Sequence, residues 1–360
     1  MRSAARAVLG QRIVRHGFAD RPASTVAQAA GLTVGVQAQD PQAARLGVRS
    51  RAARLTEADV LHAMDVERSV VRTSLMRATI HLVDADDVAW LTALIGPAIA
   101  RKFQKRWRDL GLSAGLLAGA MDVLPDALAG GPHTRAEIMT ALADSGIVID
   151  LTDQAPTHVL LHATAAGLVC RGPDRGRDAT FVLLDDWLPR APAGPRDDDT
   201  LAELARRFFL AFSPATAADF TTWSGLPAGR AVALIRDELT AVDVVGRPGF
   251  TLGDVEPQHG LRLLSAFDNY LVGYRERDVI IDAAHRPHVY LGGMIRPAVL
   301  LDGRIVGTWR LMRTPAEATV EVTPLRALAN RVRAAIEAEA ADIGRFIDLP
   351  TALAFTPPPS

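Results

Sequence analysis

The chain has a single cysteine, Cys170, among 360 residues. That excludes an intramolecular disulfide and any zinc or iron–sulfur centre built on cysteines. Lysine is almost as scarce: of 40 basic residues only Lys102 and Lys105 are lysines. No run of about 18 apolar residues occurs, so no membrane span is expected. The N-terminus starts basic, but Gln11, Arg12 and Arg15 interrupt the apolar residues after it and no secretory core forms. Glycine-rich phosphate loops of the Walker or dinucleotide type are absent. His158 and His162 stand at metal-ligand spacing on an expected helix, without the His-Glu-x-x-His pattern or a cysteine beside them. Packing or phosphate contact is the better role for both, and no metal and no other cofactor is expected. These absences place the chain in the cytoplasm, associated with the nucleoid in use.

What is present is globular: 49% hydrophobic and 22% charged residues, in a length that accommodates two or three domains. The net charge of −1 argues against a nucleic-acid partner, but its distribution argues for one. Residues 1–110 carry 17 Lys/Arg against 10 Asp/Glu, residues 111–200 carry 6 against 13, and the remainder carries 17 against 18. A neutral total thus hides a basic N-terminal third. Arginine prevalence is what a GC-rich coding genome gives by itself. It still matters physically, because arginine makes forked contacts to phosphates and base edges.

A pattern of helix, short helix, helix and strand hairpin recurs three times. The first helix carries Ala5, Val8, Leu9 and Ile13 on one face, with Arg6, Gln11, Arg12 and Arg15 on others. Further helices are expected from about Pro41 and Thr56, and Val70 to Val83 is β-rich with residues 74–79 as a wing. In the second segment Thr134 and Glu137 form a capping box. There the stretches 168–171 and 180–183 pair across a Gly/Pro loop after a helix. Residues 189–199 form a Pro-rich linker. The third segment runs through helices near 201–209, 216–223 and 227–239 to a hairpin at 242–252. A β-rich stretch comes next, over 261–274 and 287–322, with Asp302-Gly303 as a two-residue turn. It ends in a helix over 325–346 and a frayed tail at 356–359. The expected fold is mainly α with β-hairpin wings: three tandem winged-helix modules (1–112, 113–190 and 200–255) plus a β-rich C-terminal extension (256–360).

Two residues look placed for chemistry. Gln37 and Gln39 lie in Val34-Gly35-Val36-Gln37-Ala38-Gln39-Asp40-Pro41. The β-branched valines and the pre-proline Asp40 favour an extended run. Alternation then puts Val36 and Ala38 on one side and both glutamines on the other, converging two neutral amides. A polar turn after a short helix is the competing reading. Asp40 serves as a helix cap or as an assisting base.

The same stretch, with Arg45-Leu-Gly-Val-Arg49, Arg77-Ala-Thr-Ile-His81, Leu263-Leu-Ser-Ala-Phe-Asp268 and Gly303-Arg-Ile-Val-Gly-Thr-Trp309, resembles the AlkZ/YcaQ family of bacterial winged-helix DNA glycosylases over nearly the whole chain. The Gln-x-Gln form is that of the AlkZ branch; the other branch carries Gln-x-Asp. The resemblance implies catalytic Gln37 and Gln39, with His81 beside the site. It implies hydrolysis of the glycosidic bond of N7-alkylguanine and unhooking of interstrand cross-links, in self-resistance to an azinomycin-type genotoxin. An N7-alkylated guanine is cationic and leaves without a strong acid, so orienting a water and stabilising an oxocarbenium-like sugar suffices.

The expected partner is duplex DNA carrying such a cationic guanine or a cross-link, bound by a monomer. Candidate phosphate contacts are Arg45, Arg49, Arg51 and Arg54, with a solvated charged face as the other reading; Arg77; Lys102, Lys105 and Arg106 in the densest basic run; and Arg304 and Arg310 around the Asp302-Gly303 turn, which reads equally as a wing that probes a groove and as a plain structural hairpin. Phe103 and Trp107, interleaved with that basic run, read as a core-facing stripe. With lysine confined to positions 102 and 105, a Schiff-base lyase step is not expected, so the glycosylase is monofunctional. The rivals are a non-enzymatic winged-helix transcriptional regulator and a protein-interaction array. Sequence leaves open the natural lesion, the DNA-bound conformation, the regulation, and whether Asp40 or His81 takes part in catalysis.

Overall fold

The computed structural model describes residues 2–188 and 197–358, so most of the expected linker at 189–199 lies outside the described residues, as does the end of the tail. The architecture mixes helix and sheet rather than being mainly helical. It divides into two compact units, Met1–Leu61 with Ala202–Ser360, and His62–Leu201.

In the unit His62–Leu201, strands 80–84, 70–74, 169–171, 180–183 and 133–134 lie side by side in that order. Val70–Ser74 and Ile80–Asp84 are antiparallel, as the β-rich stretch predicts, and their turn puts Arg77 and Ala78 at φ 60° and 68°. Val169–Arg171 pairs with Thr180–Leu183, the expected second hairpin. Arg72 and Arg171 face each other across adjacent strands, and Asp174 takes the Arg72 guanidinium in a forked pair at 2.7 and 3.0 Å. Helices Ala85–Asp109, Ala114–Ala127, Arg135–Asp144 and Ala155–Ala165 enclose a core of Trp107, Leu117, Leu124, Ile138, Leu142 and Val159. The capping box is present, with Thr134 accepting from the Glu137 amide and Glu137 from the Thr134 amide. Trp107 is buried at 5% exposure, and its indole N–H donates to His158 Nδ1 at 3.2 Å, which gives that histidine its packing role.

In the unit Met1–Leu61 with Ala202–Ser360, a five-stranded sheet runs in the order 351–355, 318–324, 304–313, 298–301, 261–264. The helix Asn330–Ile347 buries Ile336, Ala340, Ile343 and Phe346. Its last residues lead into Thr351–Phe355, which pairs in parallel with Ala318–Pro324. Sequence does not predict this strand. Five residues flanked by prolines give too short an alternation to mark one, and its pairing depends on a neighbour about thirty residues away. The stretch 265–274, read as strand, is instead a turn and the short helix Asn269–Val272, because Asp268 caps it by accepting from the Tyr270 amide at 2.9 Å.

Arg12 and Arg15, which lie off the apolar face of the first helix, are buried as well. Arg12 donates to the Pro214 carbonyl at 2.8 Å and lies 3.8 Å from the Tyr274 ring centre, while Arg15 donates to Leu210, Leu252 and Gly253 carbonyls. A guanidinium takes several carbonyls at once, which is what lets it stay charged inside.

Candidate functional site

Helix Val26–Gly31 ends in a sharp reversal. Val34 and Gly35 take φ of 54° and 105°, so the extended conformation expected at Val34 is not adopted. A β-branched residue in the left-handed region is strained, costing about 1–3 kcal/mol, and persists only where its surroundings hold it. The chain then straightens at Val36–Gln37. Residues 33–38 are all buried, so burial does not alternate along the run as the extended reading predicts. The two glutamines differ: Gln37 is 5% exposed, whereas Gln39 is exposed. Asp40 accepts from the Ala43 amide at 2.9 Å and caps helix Pro41–Arg49, so its carboxylate is engaged in the simpler of its two expected roles.

Three sets of contacts fix this loop. The Asn269 side chain accepts from the Gln37 amide at 3.0 Å and donates to the Gly35 carbonyl at 2.8 Å. Beside it, Asp268 binds Arg51 through a forked pair at 2.9 and 3.1 Å, with both side chains fully buried. Arg51 also donates to the Gly47 carbonyl at 2.9 Å. Gly47 faces Val36: a Cβ there would stand 2.7 Å from Val36 Cγ1, so the helix can approach the glutamine strand only with glycine at this position.

Arg49 and Arg51 therefore correct the sequence reading. Expected at phosphates, both are fully buried structural cations. Arg49 meets Glu339 and Asp342 at 2.8 Å each and donates to the Leu263 carbonyl. Burial pulls the Arg49 pKa down, and the two carboxylates more than offset it, leaving it raised. Burial likewise pushes the Glu339 carboxyl up, and Arg49 and Arg262 outweigh that to leave it lowered. The i, i+4 spacing of Arg45 and Arg49 marked a shared face but not which way it pointed. Arg45 pairs with Glu57 at 2.8 Å, and Arg313 completes that carboxylate at 2.6 Å. Arg54 is exposed.

Of the two readings of the Asp302-Gly303 turn, the plain structural hairpin is the one the contacts favour over a groove-probing wing. Its φ values of 48° and 79° fit the expected two-residue hairpin. However, a Cβ on Gly303 would stand 2.6 Å from Leu9 Cβ, and the Gly303 carbonyl accepts from Tyr270 Oη at 2.8 Å, so the tip is packed down. Arg304 pairs with Asp282 and donates to the Val279 carbonyl; Arg310 is exposed and pairs with Glu321 across the sheet at 2.8 Å.

In the other unit, Lys102, Lys105 and Arg106 project from helix Ala85–Asp109 into solvent. Lys102 reaches the Arg77 carbonyl at 3.2 Å, Lys105 pairs with Asp109 and Arg106 donates to Gln154. Phe103 is half-buried and Trp107 buried, as a core-facing stripe requires. His81 is 1% exposed and its Nδ1–H donates to the Thr79 carbonyl at 2.9 Å. Burial, reinforced by the Arg77 charge, pushes its pKa down to about 3. The ring is neutral at physiological pH, with Nε2 as its acceptor nitrogen.

Sequence reasoning missed Gly47, Asn269, Glu339 and Asp342. Asn269 had a local signal, an Asp-Asn pair ending an apolar run; Gly47 is defined by its packing on Val36, and Glu339 and Asp342 by a partner far along the chain.

The profile of the family described as DNA glycosylase AlkZ-like matches residues 31–346. Similar to this chain is an interstrand DNA cross-link repair glycosylase of Streptomyces sahachiroi, 28% identical over 368 residues that cover 96% of this chain and 97% of the relative. The solved structure of Streptomyces sahachiroi DNA glycosylase AlkZ is likewise similar, with a TM-score of 0.81, 26% identity, and 98% and 99% of the two chains covered.

The frame around the loop predicts the cost of breaking it. Asp268→Asn leaves a buried guanidinium short of its counter-charge, and should lower stability in urea unfolding by about 3–5 kcal/mol. A loss below about 1 kcal/mol would show that the pair is not what holds this region.

Proposed function

Because the chain belongs to the DNA glycosylase AlkZ-like family, we propose that it hydrolyses the N-glycosidic bond of N7-alkylguanine in duplex DNA and unhooks interstrand cross-links, with Gln37 and Gln39 as its catalytic pair. The observation that carries this reading is the loop itself: a strained, externally braced strand presenting one buried and one exposed amide immediately before a helix start. Strain held in place by surrounding structure is a mark of functional segments. The exposed Gln39 orients a water, and the buried Gln37 turns its carbonyl dipole to the positive charge that develops on the sugar.

No strong acid is needed, because the cationic leaving group becomes neutral as the bond breaks. The neutral state of His81 agrees with this: its one ring N–H is given to the Thr79 carbonyl, and it does not supply a proton near pH 7. The scarcity of lysine supports a monofunctional enzyme, since Lys102 and Lys105 already engage the Arg77 carbonyl and Asp109. Three strand hairpins that come after helices, at 70–84, 169–183 and 240–251, support the reading of three winged-helix modules with a β-rich extension. A cross-linked guanine cannot swing fully out of the duplex, so the site is open and shallow. The protein acts as a monomer in the cytoplasm, in self-resistance to an azinomycin-type alkylator. Family membership favours this enzyme over the transcriptional regulator.

Duplex DNA bearing N7-methylguanine should lose the base and become alkali-cleavable, far faster than DNA bearing uracil, whose neutral leaving group calls for the roughly 10²–10⁴-fold help of a positioned acid. The rate should be flat between roughly pH 6 and 8: a histidine with its pKa lowered to about 3 takes up no proton in that window, where an ordinary one would. Efficient uracil release, or an acid limb near pH 6, would contradict the mechanism. Separately, Arg106→Ala should weaken binding to all duplexes alike and reduce the salt slope by about 0.9 for one lost phosphate contact; an unchanged slope would remove Arg106 from the interface.

A further inference from the structure

We infer that Asn269 is the positioning residue of the proposed catalytic loop, the group through which the sheet side of its unit aims Gln37. The inference rests on the catalytic reading of the Gln-x-Gln pair. Its geometry is independent of that reading. Asn269 is 1% exposed and reaches three backbone groups of one short stretch: Oδ1 accepts from the Gln37 N–H at 3.0 Å, and Nδ2 donates to the Gly35 carbonyl at 2.8 Å and the Thr33 carbonyl at 3.4 Å. Residues 33, 35 and 37 are spaced by two, and one side chain takes up a polar group from each. The partners also fix which way the amide points, since two carbonyls need the NH₂ and one N–H needs the oxygen.

The stretch cannot hold this shape by propensity. It contains Val34 at φ 54° and Gly35 at φ 105°, and local turn contacts hold its bend: Gly35 N–H to Ala30 at 2.8 Å, Val34 N–H to Gly31 at 3.1 Å and Thr33 Oγ1 to Gly35 at 3.3 Å. Those contacts set the turn within its own stretch. Asn269 ties the backbone of residue 37 to a segment 232 residues away. It is itself anchored: it opens the helix Asn269–Val272, whose cap Asp268 is paired with the fully buried Arg51. The chain of restraint runs from Arg51 through Asp268 to Asn269, then to the backbone of Gln37, and so to the side chain that faces the reaction. Catalysis by orientation is sensitive to such a link, because a shift of about 1 Å in a reacting or positioning group costs on the order of 10²-fold in rate.

Asn269→Ser shortens the reach and removes the amide NH₂ that serves the two carbonyls. The expected result is single-turnover release of N7-methylguanine slowed roughly 100-fold with duplex affinity within a few fold of the wild type. Hydrogen exchange at the Gln37 amide should quicken, while amides of strand Leu261–Leu264 and helix Asn330–Ile347 keep their protection. General loss of structure would instead speed exchange throughout and weaken binding together with rate. The isosteric Asn269→Asp provides a second test should the serine variant fold poorly: it keeps the acceptor for Gln37 and turns an acceptor toward Gly35, so release stays slow although volume is conserved. Wild-type release in a folded Asn269→Ser or Asn269→Asp protein, or unchanged exchange at Gln37, would overturn the inference. So would affinity and core protection falling in step with rate. The exchange measurement needs no substrate, so it still reads the clamp if the wild-type protein releases no base and the catalytic reading itself fails.

Discussion

A forked ion pair between Arg51 and Asp268, fully shielded from water, is the contact on which the glutamine loop depends. Two buried charges are costly to desolvate, and such a pair adds little net stability compared with apolar residues of the same volume. What it adds is geometry. Each partner has one acceptable place, and the alternative is an unpaired charge in the core. Arg51 lies just after the helix Pro41–Arg49 and Asp268 precedes the helix Asn269–Val272, so the pair sets the distance between segments 217 residues apart. Gly47 then admits Val36, and Asn269 takes hold of the strand that Val36 opens.

The same arrangement explains how an arginine-rich chain divides its charge. Residues 1–110 carry a surplus of positive charge, but much of it is held inside. Arg12, Arg15, Arg49 and Arg51 bind carbonyls or carboxylates where water does not reach. The basic run of helix Ala85–Asp109 keeps its cations outside, where they are available to phosphates. Burial without a counter-charge does the reverse at His81, which it keeps neutral. A neutral amide pair supplies no strong acid, which is what the proposed chemistry asks of it, since an N7-alkylated base already carries the charge needed to leave.

The sequence made much of the fold legible where local rules operate: the Thr134/Glu137 capping box, the Asp302-Gly303 turn and the first two hairpins come from spacing and turn chemistry. The burial of Val36 and Ala38 was legible in the glutamine run, but that of Gln37 between them was not, since alternation would have put it with the exposed Gln39. What local rules could not supply was the direction of a charged side chain. Arg49 and Arg54 read alike in sequence, yet one ends on Glu339 and Asp342 and the other in solvent, because the carboxylates that draw Arg49 inward lie 290 and 293 residues along the chain. The parallel strand Thr351–Phe355 and the left-handed Val34 are of the same kind, each stabilised by distant contacts against local preference.

The central claim is that two neutral amides on one braced loop carry the chemistry. Its most direct test is single-turnover release of N7-methylguanine by Gln37→Ala/Gln39→Ala, measured beside the dissociation constant for the same duplex. The account predicts that base release is abolished while affinity stays within a few fold, since neither side chain carries charge. Release at the wild-type rate in the folded double variant would contradict it.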